Sequence, residues 1–231
     1  MSLVCASCPV RDSAACSVLS DLERDALAAQ GRKRQLARGE TLFHAGDQDT
    51  VCATLVSGAL KIRMIDAAGD EHILALVHPA GFIGELYKPF SSYDVVALGA
   101  SELCLFARAD MTTALAQHPA LTHALLRRTQ EDVHASRELL AINAMRNAKQ
   151  KIGALLMAFA KAASDSPCHP ARSFELPLTR GEIANLAGLT IETVSRQLSI
   201  LEKEGAISKN GARGIDIADP ALLLQLAETG R

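Results

Sequence analysis

The chain has 231 residues, 48% of them hydrophobic and 22% charged, with a formal net charge of -2; this is soluble globular composition, enough for one large domain or two small ones. Bulk charge lacks the strongly basic signature of a general nucleic-acid binder, and scarce aromatics with no Trp argue against stacking on single strands. No run reaches the roughly 18 apolar residues of a membrane helix, and the N-terminus lacks a basic flank followed by an apolar core, so the expectation is a cytoplasmic chain without membrane contact, where disulfides are rare.

Three cysteines, Cys5, Cys8 and Cys16, stand in the opening "MSLVCASCPVRDSAAC". The C-x2-C spacing is shared by zinc and iron-sulfur sites, and free or buried thiols are the plain alternative. In "SVLSDLERDALAAQ" (17–30) Leu19, Leu22, Ala26 and Leu27 follow helical spacing, and Ser20 with Glu23 three residues later forms a capping box. From Arg38 the period changes. The stretches "TLF", "VCATLV", "ALKIRMI", "HILALV", "DVVALGA" and "ELCLFA", punctuated by glycines at 46, 58, 69 and 81, predict an antiparallel sandwich or barrel.

Strand signals end at "HPALTHALL". Pro119 suits a helix start, and no Gly or Pro follows until after Ala144. Two apolar edges run along this helix, Leu121, Leu125, Ala135, Leu139 and Ile142 on one and Leu126, Val133 and Leu140 on the other. Two edges predict two burial partners, the β domain and a second copy of the helix. The segment 164–173, "SDSPCHPARS", is expected to be a loop.

The next stretch, "LTRGEIANLAGLTIETVSRQLSILEKEGAI", predicts a helix-turn-helix. Thr179 and Glu182 box the start of a first helix, Arg180 to Ala187. Gly188 permits a left-handed turn, and Thr190 caps a second helix from Ile191 to about Glu204. Val194, Leu198 and Leu201 face inward; Glu192, Ser195 and Arg196 face outward near the N-terminus, where a recognition helix meets base edges. "ISKNGARGIDIA" adds two strands about an Asn210-Gly211 turn, a wing. Arg196 suits guanine O6 and N7, Glu192 suits cytosine N4, Ser195 suits a neighbouring base or a thymine methyl, and Arg180 suits a positioning phosphate. No nucleophile-base or metal-hydrolase spacing points to an enzyme.

With these motifs in place, the chain resembles the CRP/FNR family of bacterial transcription regulators over nearly its whole length. "TLFHAGD", "LVSGALKI" and "GFIGEL" are similar to the family's β-roll, and 179–205 is similar to its DNA reader. The resemblance implies an α+β protein: a cysteine-bearing segment and short helix (1–30), an antiparallel β-roll or cupin-like jelly roll (31–117), a dimerisation helix (118–147) and a winged helix-turn-helix (148–231). In the cAMP-binding branch an Arg-Ser pair after "GEL" holds the cyclic phosphate. Gly84 and Glu85 are present here, but Val95 and Val96 occupy the Arg-Ser positions. A buried phosphate without a cation is costly, so no cyclic nucleotide is expected. Ile191 stands where that branch has an Arg, and Glu192-Thr193-Val194-Ser195-Arg196 looks like the FNR branch, whose half-site is TTGAT in an inverted repeat.

That branch implies a [4Fe-4S] cluster on Cys5, Cys8, Cys16 and Cys104, an oxygen-responsive homodimer and RNA polymerase as partner. The C-x2-C-x7-C spacing has a longer second gap than the enterobacterial C-x2-C-x5-C. A zinc site would use the same four thiolates. Cys52 is expected as a small buried hydrophobe and Cys168 as a surface thiol. A cluster-free alternative, redox thiols or a haem-based nitric oxide sensor, makes His44, His72 or His78 candidate axial ligands.

Overall fold

The computed structural model describes residues 3–48, 51–164 and 169–228. The chain divides into two compact units, Met1–Ser136 and Arg137–Arg231, so the division falls inside the long helix.

In the first unit two 3-10 turns, Cys5–Ser7 and Ala15–Val18, precede α1 (Asp21–Gln30). Ser20 and Glu23 make the expected capping box: Glu23 N–H donates to Ser20 Oγ, and Ser20 N–H donates back to Glu23 Oε2 at 2.8 Å. Eight strands follow: β1 (Arg32–Leu36), β2 (Thr41–Phe43), β3 (Val51–Ser57), β4 (Leu60–Ile65), β5 (Glu71–Val77), β6 (Phe82–Ile83), β7 (Asp94–Ala97) and β8 (Ser101–Ala107). They form two antiparallel sheets, ordered β1-β8-β3-β6 and β2-β7-β4-β5.

Each apolar stretch singled out in the sequence becomes a strand. β1 and β6 were not foreseen: β1 reads "RKRQL", and only Leu36 of it is buried. Pairing with one neighbour at a sheet edge, it has no second apolar face to reveal it. The turn that carries the chain from β3 in one sheet to β4 in the other needs Gly58, whose φ is +91° and whose missing Cβ would lie 2.6 Å from the Ala100 carbonyl.

Side chains alternate across the strands. Ala53, Leu55, Leu103 and Leu105 enter the core with Leu36, Phe43, Leu60, Val77, Ile83, Val95 and Ala97. Cys52 and Phe106 belong to a separate cluster with Leu19, Leu27, Met111, Ala114 and Leu121, against which Cys104 and Cys16 also pack. This second cluster joins the sheet to α1, to α2 (Arg108–Gln117) and to the start of α3 (Pro119–Ala144).

The long helix starts at Pro119 and ends at Ala144 as expected. Leu121, Leu125 and Ile142 are buried, but Ala135, placed on the same edge, is exposed. Leu126, Val133 and Leu140, seven residues apart, are all exposed.

In the second unit Asn147 caps α4 (Ala148–Ala162), accepting from the amides of Lys149 and Gln150. β9 (Ser173–Glu175), α5 (Arg180–Ala187), α6 (Ile191–Lys203), β10 (Ile207–Asn210), β11 (Gly214–Ile217) and α7 (Pro220–Glu228) follow. The wing sheet has the order β10-β11-β9, one strand more than the sequence suggested. Its turn also differs: Asn210 is the last residue of β10 and pairs with Gly214, so Gly211 opens a three-residue loop instead of sharing a two-residue turn with Asn210. A side chain at Gly214 would run into the Asn210 carbonyl, so the pair that closes this loop requires glycine there.

Candidate metal centre and nucleic-acid interface

Cys104 sits on β8 between Leu103 and Leu105, so its thiol projects from the face opposite the inter-sheet core. The N-terminal segment covers that face. Val10 and Ala14, 5% and 1% exposed, bury themselves with Val56 and Ala80, and Cys8, Cys16 and Cys104 pack against this small cluster. Backbone turns hold the segment in shape: Arg11 N–H donates to the Cys8 carbonyl at 3.1 Å, Ala14 to Val10 at 2.9 Å and Leu19 to Cys16 at 3.2 Å. The long gap between Cys8 and Cys16 is therefore a packed turn, not the flexible tail its polarity suggests.

Cys5, Cys8, Cys16 and Cys104 line one largely apolar cavity of about 50 Å³, together with Phe82, Phe106 and Leu121 and Leu125 of α3. On the solvent side Cys5, Cys8 and Cys104 line a more open hollow of about 530 Å³, which also includes Lys33 and Glu102, an ion pair at 2.6 Å. All five described cysteines are free thiols. Burial, and then the proximity of Cys8, Cys5 and Cys16, pushes the Cys104 thiol from 9.0 up to about 12. Burial followed by neighbouring thiols also raises Cys16 and Cys5, while the positive charge of Arg24 opposes the rise.

Thiols in this setting keep their protons until a cation replaces them, as in a coupled metal-binding and deprotonation equilibrium. The donor set, four sulfurs and little competing oxygen, matches soft or borderline metals. Among the described residues no three His, Cys, Asp or Glu side chains close on a point that would hold a single ion. The thiols share a cavity wall without converging on one centre.

Sequence reasoning passed over Arg24. This α1 residue is 7% exposed and lines the thiol cavity. A single arginine on a helix carries no periodic signal, and apart from Asp21 its partners are backbone carbonyls, which a sequence does not display.

The remaining cysteine and histidine candidates are dispersed in role. Cys52 is buried, its thiol 3.8 Å from the Phe106 carbonyl. Cys168 lies outside the described residues. His44 is exposed, His72 pairs with Asp66 at 2.8 Å, and burial, with a smaller contribution from Arg128, lowers His78.

The second site is built by local caps. Thr179 N–H donates to Glu182 Oε2 at 2.8 Å, and Glu182 N–H donates to Thr179 Oγ1 at 3.2 Å, starting α5. Gly188 ends α5 at φ +61°, and the buried Lys151 ammonium donates to the last carbonyl of the helix, Ala187, at 2.7 Å. That cation satisfies a carbonyl the helix cannot and complements the negative end of its dipole. Thr190 Oγ1 accepts from Thr193 N–H at 3.2 Å to start α6.

Val194, Leu198 and Leu201 are fully buried, which orients the opposite face outward. Glu192 and Arg196 are exposed there, and Ser195 is half-buried. Glu192 is held below the usual carboxylate range by its own backbone N–H and then by the Thr190 hydroxyl, so it stays an acceptor. Arg180, expected to contact phosphate, donates from Nη1 to Ser195 Oγ at 3.2 Å and so reaches the recognition helix. Lys209 of the wing donates to Ser199 at 3.1 Å and pairs with Glu202 at 2.7 Å, tying β10 to α6.

Comparison with known proteins agrees with both halves. Residues 150–226 match the model of a Crp-like helix-turn-helix domain, and residues 33–118 match that of a cyclic nucleotide-binding domain. The chain is 31% identical to the transcriptional activator protein FnrL of Cereibacter sphaeroides, over 96% of this chain and 91% of the relative. It is 30% identical to the nitrogen fixation regulation protein FixK of Bradyrhizobium diazoefficiens, over 96% and 93%. The solved structure of FixK2 from Bradyrhizobium japonicum shares the fold, with a TM-score of 0.77 at 20% identity over 87% of this chain and 99% of that one. These relatives are regulators, not enzymes, and the chain belongs to the CRP/FNR family of DNA-binding transcription regulators.

Proposed function

We propose that this regulator senses oxygen through a [4Fe-4S] cluster held by Cys5, Cys8, Cys16 and Cys104, and that as an anaerobic homodimer it reads TTGAT inverted repeats to control anaerobic or microaerobic genes, with RNA polymerase as its partner. The observation that carries the reading is the single cavity lined by all four thiols. A cubane needs one thiolate per iron, and this wall offers four sulfurs; a zinc site would use the same four thiolates, and the resemblance to the FNR branch favours the cluster. The cluster, when bound, supplies an oxygen-labile centre.

The chain's own residues supply the rest. Leu121 and Leu125 of α3 line the thiol cavity, so the order of the N-terminal segment and the seating of α3 depend on the same packing. The other edge of α3 presents Leu126, Val133 and Leu140 at heptad spacing, the pattern of a helix awaiting a copy of itself. A state with the segment ordered and α3 seated is the one the dimer selects, so whatever orders the segment shifts the population toward DNA binding. Two recognition helices then meet successive major grooves. Arg196 and Glu192 share the G·C pair, Ser195 faces thymine, and Arg180 steadies that serine.

A cyclic nucleotide has no part in this reading. Val95 and Val96, both buried on β7, leave an aliphatic pair where a phosphate would require a cation.

Anaerobic purification followed by iron and sulfide analysis tests the proposal. The expected product is coloured, bleaches in air and holds about four irons and four sulfides per chain, and Cys104→Ala removes them. A colourless, iron-free anaerobic protein would overturn the cluster; one zinc per chain, stable in air, would replace it.

A further inference from the structure

We propose that Arg24 is the positioning residue of the thiol site, the group that sets the turn carrying Cys16 from the rigid helix α1. The inference rests on the thiol-site reading above. Arg24 is 7% exposed, and each of its three guanidinium nitrogens is engaged. Nε donates to the Cys16 carbonyl at 3.3 Å, Nη2 to the Ser17 carbonyl at 3.3 Å and the Leu19 carbonyl at 2.8 Å, and Nη1 to Asp21 Oδ1 at 3.0 Å. Asp21 Oδ1 also accepts from Arg11 Nη2 at 2.6 Å, so the same network reaches into the loop between Cys8 and Cys16.

Within the 3-10 turn Ala15–Val18 the Cys16 carbonyl already accepts from Leu19 N–H, a single bond in a short element of poor hydrogen-bond geometry. Arg24 adds a second donor at that carbonyl and reaches the Ser17 and Leu19 carbonyls at the end of the turn, which clamps the position of Cys16. One planar fork spans the three carbonyls at once, which a point charge on a lysine cannot do. The fork is itself held by α1, which is fixed by its capping box, by Leu27 in the cluster behind the sheet and by Glu23, whose Oε1 lies 3.2 Å from His118 Nδ1. The seven residues between Cys8 and Cys16 need not define the position of the third thiol; the helix after it does. Arg24 also brings a positive charge to the cavity wall beside Cys5 and Cys16, where four thiolates would otherwise repel.

The test compares wild type, Arg24→Gln, Arg24→Lys and Cys16→Ala by two measurements. In the metal-free protein, iodoacetamide labelling mapped by peptide mass should show Cys16 reacting about tenfold faster in Arg24→Gln, with Cys104 unchanged. In anaerobic loading with ferrous iron and sulfide, Arg24→Gln should need on the order of 10- to 100-fold more iron, the usual effect of losing a group that orients a ligand, and should approach Cys16→Ala. Arg24→Lys should rescue neither measurement.

Wild-type labelling and loading in Arg24→Gln would overturn the inference. Full rescue by lysine would overturn it as well, because charge without the fork would then suffice. Equal acceleration at Cys16 and Cys104 would mean general loosening and would also reject it. Should Arg24→Gln fail to fold, Asp21→Ala, which removes the acceptor of Nη1 and frees one edge of the guanidinium, should give a smaller rise confined to Cys16, and no rise would count against the proposal. A wild type that protects Cys16 but takes up no iron would sink the cluster reading and leave the role of Arg24 standing.

Discussion

The recognition hairpin and the thiol segment reach order by opposite routes. In the hairpin the signals that start and stop the helices are close in sequence: Thr179 with Glu182, Thr190 with Thr193, Gly188 at the turn between them, with Lys151 on the Ala187 carbonyl as a distant addition. The thiol segment has local turns, but they do not place it against the sheet. Its anchors Val10 and Ala14 depend on Val56 and Ala80, its fourth thiol arrives on β8, and its turn is set by α1. A reader of a fixed chemical code benefits from a shape that its own residues enforce. For the sensor proposed above, a shape that exists only while distant parts agree is an advantage, because that agreement can be withdrawn.

Substitutions can break or sharpen this contrast. The largest effect is expected for Leu201→Ala in the hairpin core: a loss of about 2–5 kcal/mol, read by thermal or denaturant unfolding, with the thiol segment undisturbed. Arg196→Ala should leave stability alone and relax discrimination at the guanine by about 1–3 kcal/mol, read by titrating TTGAT and mismatched sites; equal binding by wild type to intact and scrambled sites would refute the assignment.

Val10→Ala is the counterpart in the other region. It should cost about 1.5 kcal/mol of stability and, unlike either hairpin variant, should also weaken iron loading, since the same side chain positions the segment. If loading is unchanged, the contrast between the two regions fails.

The smallest effect concerns pH. Burial, and secondarily Arg128, lowers His78, so the neutral form is the one the fold retains. Its contribution is present above the ordinary histidine value of 6.5 and is lost as pH falls through the folded value. His78→Gln should flatten the stability profile below pH 6.5 while leaving the hairpin's behaviour unchanged.

The same difference explains what was legible in the sequence. The hairpin could be read almost residue by residue, because caps and glycine turns are nearest-neighbour signals. The strands were legible where one face is apolar, as in "VCATLV" and "ELCLFA"; the charged β1 and the two- and three-residue β6 of the sandwich and β9 of the wing were not. The three N-terminal cysteines were visible as a motif, but their relation to Cys104 came from resemblance; no local pattern joins residue 16 to residue 104. Arg24 was invisible for a harder reason: it acts on main-chain carbonyls, which every residue carries. The wing turn was misjudged by proximity, since Asn-Gly suits a tight hairpin, whereas the pairing of Asn210 with Gly214 closes a looser one.

The placement of Cys104 between Leu103 and Leu105 also restricts how such a site can change over evolutionary time. A β-strand offers side chains to a given face only at every second residue. Along β8 a sulfur could move to the places of Glu102 or Phe106 and still meet the N-terminal segment, but a shift of one would bury it in the hydrocarbon between the sheets. A one-residue insertion or deletion in this strand would therefore move the thiol to the other face, whereas the turn between Cys8 and Cys16 follows no such two-residue period and is constrained instead by the burial of Val10 and Ala14.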